Sequence, residues 1–348
     1  MTIAFSLRGA ALGLIGGLAL VSAANAAEIT GAGSTAIYPV LAKWASTYQQ
    51  ETGVALNYQS IGSGGGIKQV ESKTVTFGAT DAPLSVKELD QYGLIQWPQI
   101  VIGVVPVVNI KGIGADQLTL DGKTLADIFQ GKITKWSDPA ITKLNPGVSL
   151  PSSPIGVVHR SDGSGTTFTF TNYLAAASSD WKTNVGVNTA IDWPAGVGGK
   201  GNEGVAGSLG QVPGSIGYVE YAYALQNKLA WVKLVNHDGK AVSPSEKAFA
   251  AAAAGADWTG APGMGLVMTD EPGADSWPIT GATFVLLHKT PDNAADAQAA
   301  LKFFDWGFTK GIQQAMDLAY VPLPDKVVGV IEAAWKSNEK GSDGKALW

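Results

Sequence analysis

Apolar positions along the chain change period repeatedly, and the changes mark an alternation of helices and strands. Val40, Leu41, Trp44 and Tyr48 recur at helical spacing, and Gly53 stands where a left-handed C-cap belongs. Val54, Leu56 and Tyr58 then alternate with polar neighbours, as one face of a strand does. A short helix is expected over 66–73 and a strand over 75–79. Ser85-Val86-Lys87-Glu88 has the S-x-x-E form of a capping box and opens a further helix. The C-terminal part reads as helix over 294–306 and again over 326–335. This alternation predicts an α/β protein with mostly parallel sheets flanked by helices. Two apolar stretches, 100–108 and 283–287, read as strands that cross between two lobes. On that reading 27–104 and 283–348 form the first lobe, 105–282 form a second lobe inserted into it, and a cleft lies between them. There is no internal repeat and no long linker.

The N-terminus adds a destination. Arg8 is the only charged side chain before Glu28, and an apolar run from Ala10 to Val21 leads to Ala24-Asn25-Ala26. A charged start, a short apolar stretch and an Ala-x-Ala site form a secretory signal peptide over 1–26, too short for the roughly 20 residues of a membrane span. No later stretch is long and apolar enough to span a bilayer, so the mature protein is expected to be soluble. Its removal leaves 23 basic against 29 acidic side chains, a formal charge of −6. That sign argues against a nucleic-acid partner. Gly 44, Pro 17 and a 45% hydrophobic content suit a loop-rich folded protein. With Cys 0 the chain can form no disulfide and carry no lipid on a cysteine, which predicts a free periplasmic protein confined by an outer membrane.

Candidate chemistry lies in three polar, glycine-rich turns ahead of helices: Gly31-Ala32-Gly33-Ser34-Thr35-Ala36, Gly62-Ser63-Gly64-Gly65-Gly66 and Asp162-Gly163-Ser164-Gly165-Thr166. Glycine lets backbone approach a ligand, and the free N–H groups of a helix start favour an anion. Hydroxyls at Thr35, Ser63, Ser164 and Thr166 add donors without adding charge. In an acidic molecule such a site must work through local dipoles and a fixed cation. Any one turn can be a plain turn, and pattern alone stops at a small anion. Enzyme readings find little support. G-x-S-x-G is absent, and Gln117 replaces the first glycine of a P-loop that Gly122-Lys123-Thr124 would end. His159, His237 and His288 lack metal-ligand spacing, so neither cofactor nor histidine-based metal is expected, and His159 reads as a neighbour of the binding loop.

Six collinear segments carry a resemblance: GAGST followed by PVLAKW (31–44), DGKTLADIFQGKITKW (121–136), HRSDGSGTTF (159–168), GGKGNEGVAG (198–207), PGSIGYVEYAYA (213–224) and LKFFDWGF (301–308). Over essentially the whole mature chain the sequence resembles the periplasmic phosphate-binding component of the bacterial phosphate (Pst) ABC transporter. The resemblance implies a type II periplasmic-binding-protein fold with two crossover strands at the hinge. It also implies a monomer that captures inorganic phosphate without catalysis and hands it to the membrane permease, which would read the closed form. Carried over, Thr35 donates through hydroxyl and amide, the residue after it through its amide, and Ser63, Ser164, Gly165 and Thr166 as further donors. The family often has an aromatic residue where Ala36 stands. Arg160 supplies positive charge, with Asp162 holding its guanidinium in a fork. Asp81 is the acceptor that faces the anion. A carboxylate tolerates an oxyanion only if the ligand brings a proton, which phosphate keeps near neutral pH and sulfate does not. Arsenate, with the same proton, would be rejected poorly. The rival readings are an exported phosphatase and a binder of sulfate or molybdate.

Overall fold

The computed structural model describes Met1, residues 28–258 and residues 260–348. The expected signal peptide, Met1 apart, lies outside the described residues.

The strand Glu28–Gly33 runs parallel to Ala55–Ser60 on one side and Phe77–Thr80 on the other. Between the first two lies the helix Tyr38–Thr52, started by Pro39 and ended by Gly53, whose φ of 76° lets its N–H reach Gln49 O. Its apolar spacing buries Val40, Leu41, Trp44 and Tyr48. Trp44 packs edge-on against Phe303 and donates its indole N–H to Gly311 O at 2.9 Å, which docks this helix on Ala294–Thr309. Burying each large apolar side chain contributes about 1.5–3 kcal/mol. The helix expected over 66–73 begins earlier, as Ser63–Glu71, because the glycine turn itself enters the first turn. Ser85 closes the predicted capping box with Glu88 and starts Val86–Tyr92.

The sheet continues from Phe77–Thr80 through Thr280–His288, Leu94–Asn109, Ser215–Glu220 and Gly156–Arg160 to Val197–Gly199. Pairing is parallel at both outer ends and antiparallel in the middle, where the two long strands run. Leu94–Asn109 is 16 residues long and passes from one half of the sheet to the other, with Ala230–Trp231 as a further partner at Val107 and Val108. Residues 94–103 pair with Thr280–His288, and residues 104–109 pair with Ser215–Glu220. Each half of the sheet carries its own helices, giving two lobes joined by continuous backbone.

This strand starts earlier than the apolar stretch 100–108 because Gln96, Pro98 and Gln99 interrupt the pattern ahead of it. The structure satisfies all three. Gln96 bonds Leu84 N–H and O and Gly263 O, while Gln99 accepts from the Trp97 indole and donates to Phe304 O. Pro98, which has no N–H for a ladder, sits opposite Phe284 where the register shifts between Thr283 and Phe284. In the second lobe Phe170 stacks on Tyr218 with ring centres 4.1 Å apart, and Phe129 packs edge-on against Phe170.

Candidate functional site

The three glycine turns meet at the junction of the lobes. Ser34-Thr35-Ala36 follows the strand Glu28–Gly33, Ser63 opens Ser63–Glu71, and Asp81 follows Phe77–Thr80. From the other lobe come Arg160 at the end of Gly156–Arg160, Asp162 beyond it, and Ser164 as N-cap of Gly165–Ala177. The approach is close enough to exclude side chains. Gly64 N–H donates to Gly163 O at 2.9 Å across the junction. A Cβ on Gly62, where φ is +88°, would stand 2.3 Å from Asp162 Oδ2. One on Gly165 would stand 2.5 Å from Ser63 Oγ and 2.6 Å from Asp81 Cβ. Glycine at these positions is a condition of contact.

Arg160 is 3% exposed and its guanidinium makes the expected fork: Nε to Asp162 Oδ1 at 2.8 Å and Nη2 to Asp162 Oδ2 at 2.5 Å. Nη1 reaches Thr166 Oγ1 at 3.3 Å. Asp162 also accepts the Gly201 N–H at 3.0 Å. Burial would raise the proton affinity of Asp162, but the hydrogen bonds and charge of Arg160 outweigh it and hold the carboxyl below its ordinary range.

Asp81 is 3% exposed and differently served. Ser34 Oγ lies 2.7 and 2.8 Å from its two oxygens, Thr283 Oγ1 donates to Oδ1 at 2.6 Å, and its own N–H donates to Ser63 Oγ at 3.2 Å. Burial dominates and pushes this carboxyl up to about 6, against the opposing hydroxyls and the charge of Arg160. It therefore holds a proton to a higher pH than an ordinary aspartate does.

The remaining predicted residues fall in the same cluster. Thr35, Ser63, Ser164 and Thr166 are buried to within 2% of complete. Ser164 Oγ accepts the Thr167 N–H, which leaves Gly165 and Thr166 ahead of it as first-turn amides free of that cap. The Ala36 N–H is engaged by Ser34 Oγ at 3.0 Å, and Tyr320 donates its hydroxyl to Ala36 O at 2.6 Å. His159 lies beside the loop, stacked on Trp193 with its Nδ1 3.0 Å from Arg160 O.

The cluster holds a buried cation fixed by an aspartate, several buried hydroxyls and helix-start amides, and a carboxyl whose proton affinity is raised by burial. The family model for the PBP superfamily domain matches residues 21–310. The chain is 55% identical over 324 residues to the phosphate-binding protein PstS of Pasteurella multocida, covering 93% of this chain and 94% of that one. The chain belongs to the PstS family of phosphate-binding proteins. It is also 53% identical over 317 residues to PstS of Haemophilus influenzae, covering 91% and 95% of the two chains. Among solved structures, the phosphate-binding protein of Stenotrophomonas maltophilia superposes with a TM-score of 0.67 at 19% identity, covering 88% of this chain and 93% of that one. A high-affinity periplasmic phosphate-binding protein solved with phosphate bound superposes at 0.70 with 22% identity, covering 88% and 94%. At such identities these two likenesses establish the fold, the two-lobed periplasmic-binding architecture of the family.

Sequence reasoning did not single out Ser34, Thr283, Asn202 or Glu220. Ser34 and Asn202 lie inside quoted family segments, so their positions were visible while their partners were not. Thr283 sits in an apolar strand, 202 residues from the carboxyl it touches. Glu220 is fully buried and its carboxyl is pushed well up by that burial, with the Ala222 N–H and the Tyr320 hydroxyl as its partners. The family segment 213–224 contained it without marking it as buried.

Proposed function

We propose that this protein captures inorganic phosphate between its two lobes in the periplasm and delivers it to the membrane permease of a phosphate ABC importer, as a soluble monomer without a lipid anchor or catalysis. The carrying observation is Asp81: a buried carboxyl with a proton affinity near neutrality, set among neutral donors and one guanidinium. Against a proton-free oxyanion that carboxylate would be a buried charge facing a like charge. Against phosphate it accepts the ligand's own O–H. Thr35, Ser63, Ser164, Gly165, Thr166 and the Ala36 amide serve as donors, Arg160 as the cation, and Asp162 as its holder. For Ala36 this requires its N–H to be shared with, or released from, Ser34 Oγ.

The lobes are taken as 27–104 with 283–348, and 105–282. The change of partner between Gly103 and Val104 supports the first boundary, and the return strand begins at Thr280, three residues ahead of the second. Donors from both lobes make the closed form the better binder, so ligand shifts the population toward it. No helix among the described residues is long and apolar enough to cross a membrane.

Titration calorimetry on ligand-stripped protein tests the reading. Phosphate should bind and sulfate and molybdate should not, while Asp81→Asn should bring sulfate affinity within reach of phosphate affinity. Capture of sulfate by the unaltered protein, or unchanged selectivity in Asp81→Asn, would remove Asp81 from this role. A phosphatase assay on the pure protein should show no turnover.

A further inference from the structure

We propose that Asn202 is a positioning residue that turns Thr35 and Thr166 into obligate hydrogen-bond donors at the anion site. The inference rests on the phosphate reading above and adds how the hydroxyl protons come to point at the ligand.

A threonine hydroxyl can donate one hydrogen bond and accept two, and left alone it rotates to suit its neighbours. Two hydroxyls facing an anion with a lone pair forward would repel it. Asn202 removes that freedom. It is fully buried in the first turn of Gly201–Gln211, and its amide orientation is fixed because the Glu220 N–H donates to Oδ1 at 2.9 Å. A backbone N–H cannot accept, so the NH2 group must point the other way. There it donates one hydrogen to Thr35 Oγ1 at 2.7 Å and the other to Thr166 Oγ1 at 3.3 Å. The second acceptor position of each hydroxyl is also filled. Thr35 Oγ1 takes the Asn202 N–H at 3.2 Å, and Thr166 Oγ1 takes Arg160 Nη1 at 3.3 Å. With both lone pairs occupied, each O–H can only donate, and among the described residues neither donates to a protein group.

The arrangement also spans the lobes. Thr35 belongs to the first and Asn202 to the second, so the Thr35 hydroxyl is oriented only when the two meet. Closure thus completes the donor set that the ligand requires.

Neutron diffraction from deuterated protein crystallised in the closed form, where Thr35 meets Asn202, tests the orientation directly and with no variant. The deuterons on Thr35 and Thr166 Oγ1 should point away from Asn202 Nδ2. Deuterons pointing at Asn202 overturn the inference and leave the phosphate reading untouched. Calorimetry supplies the second arm. Hydrogen bonds to charged groups contribute enough that Asn202→Ala should weaken phosphate binding about tenfold or more. In a Thr35→Val/Thr166→Val background the same change should cost less than about twofold, since no hydroxyl remains to orient. Equal losses in both backgrounds mean that Asn202 only holds the loop, and overturn the inference. Unaltered protein that gives no heat with phosphate overturns the functional reading and this one together.

Discussion

Asp81 and Asp162 approach the same junction from opposite lobes, and their surroundings push their protons in opposite directions. Both lose water on burial. Asp162 recovers it through a two-point guanidinium pair and the Gly201 N–H, and stays ionised. Asp81 has only the Thr283 and Ser34 hydroxyls and the charge of Arg160 to set against burial, and rises to about 6. The same side chain thus serves as a permanent anchor in one lobe and as a proton-responsive acceptor in the other. Partner type, more than depth, decides which.

Removing the anchor's partner should have the largest effect. Arg160→Ala strands a buried carboxylate and should destabilise the fold by about 3–5 kcal/mol in urea denaturation. In whatever remains folded it should also weaken phosphate binding by several-fold or more by calorimetry. A near-neutral effect on both would mean that Asp162 does not depend on the guanidinium.

The responsive side should show the reverse sign. A folded-state value of about 6 against an ordinary 3.8 means that stability is fully present below about pH 4 and is lost as pH rises through 6. That gap corresponds to on the order of 3 kcal/mol. Ligand-free Asp81→Asn should therefore gain on the unaltered protein by that order at pH 8, with the gain fading between pH 6 and 4. Denaturant melts across this range would show it, and a pH-independent difference would contradict it.

A smaller change sharpens the contrast. Thr283→Val removes one hydroxyl from Asp81 and should cost about 1.5 kcal/mol at pH 8, with less lost below pH 4 where the carboxyl is neutral. The apparent titration of Asp81, followed by carbon NMR of its carboxyl, should move upward. A downward shift would show that Thr283 is not a donor to it.

The comparison also marks what the chain disclosed on its own. Asp162, Arg160 and Thr166 lie within seven residues, so their turn was legible as a candidate anion turn, while the clamp of Asp162 on Arg160 was implied only by the family resemblance. Helices such as Tyr38–Thr52 and Ala294–Thr309 were legible for a related reason, since their apolar periodicity is local. The setting of Asp81 was not, because Ser34, Ser63 and Thr283 reach it from three separate strands and turns. Asn202 likewise acquires meaning only beside Thr35, 167 positions away. The start of Leu94–Asn109 was hidden by glutamines whose side chains find partners on Leu84, Gly263 and Phe304, a satisfaction that exists only after folding.

That same strand has a bearing on how the molecule comes apart. It pairs with one half of the sheet as far as Gly103 and with the other from Val104 onward, with no loop between. Melting either half would strip partners from a segment that the other still holds rigid. The two halves should therefore lose structure in one concerted transition, with equal calorimetric and van't Hoff enthalpies.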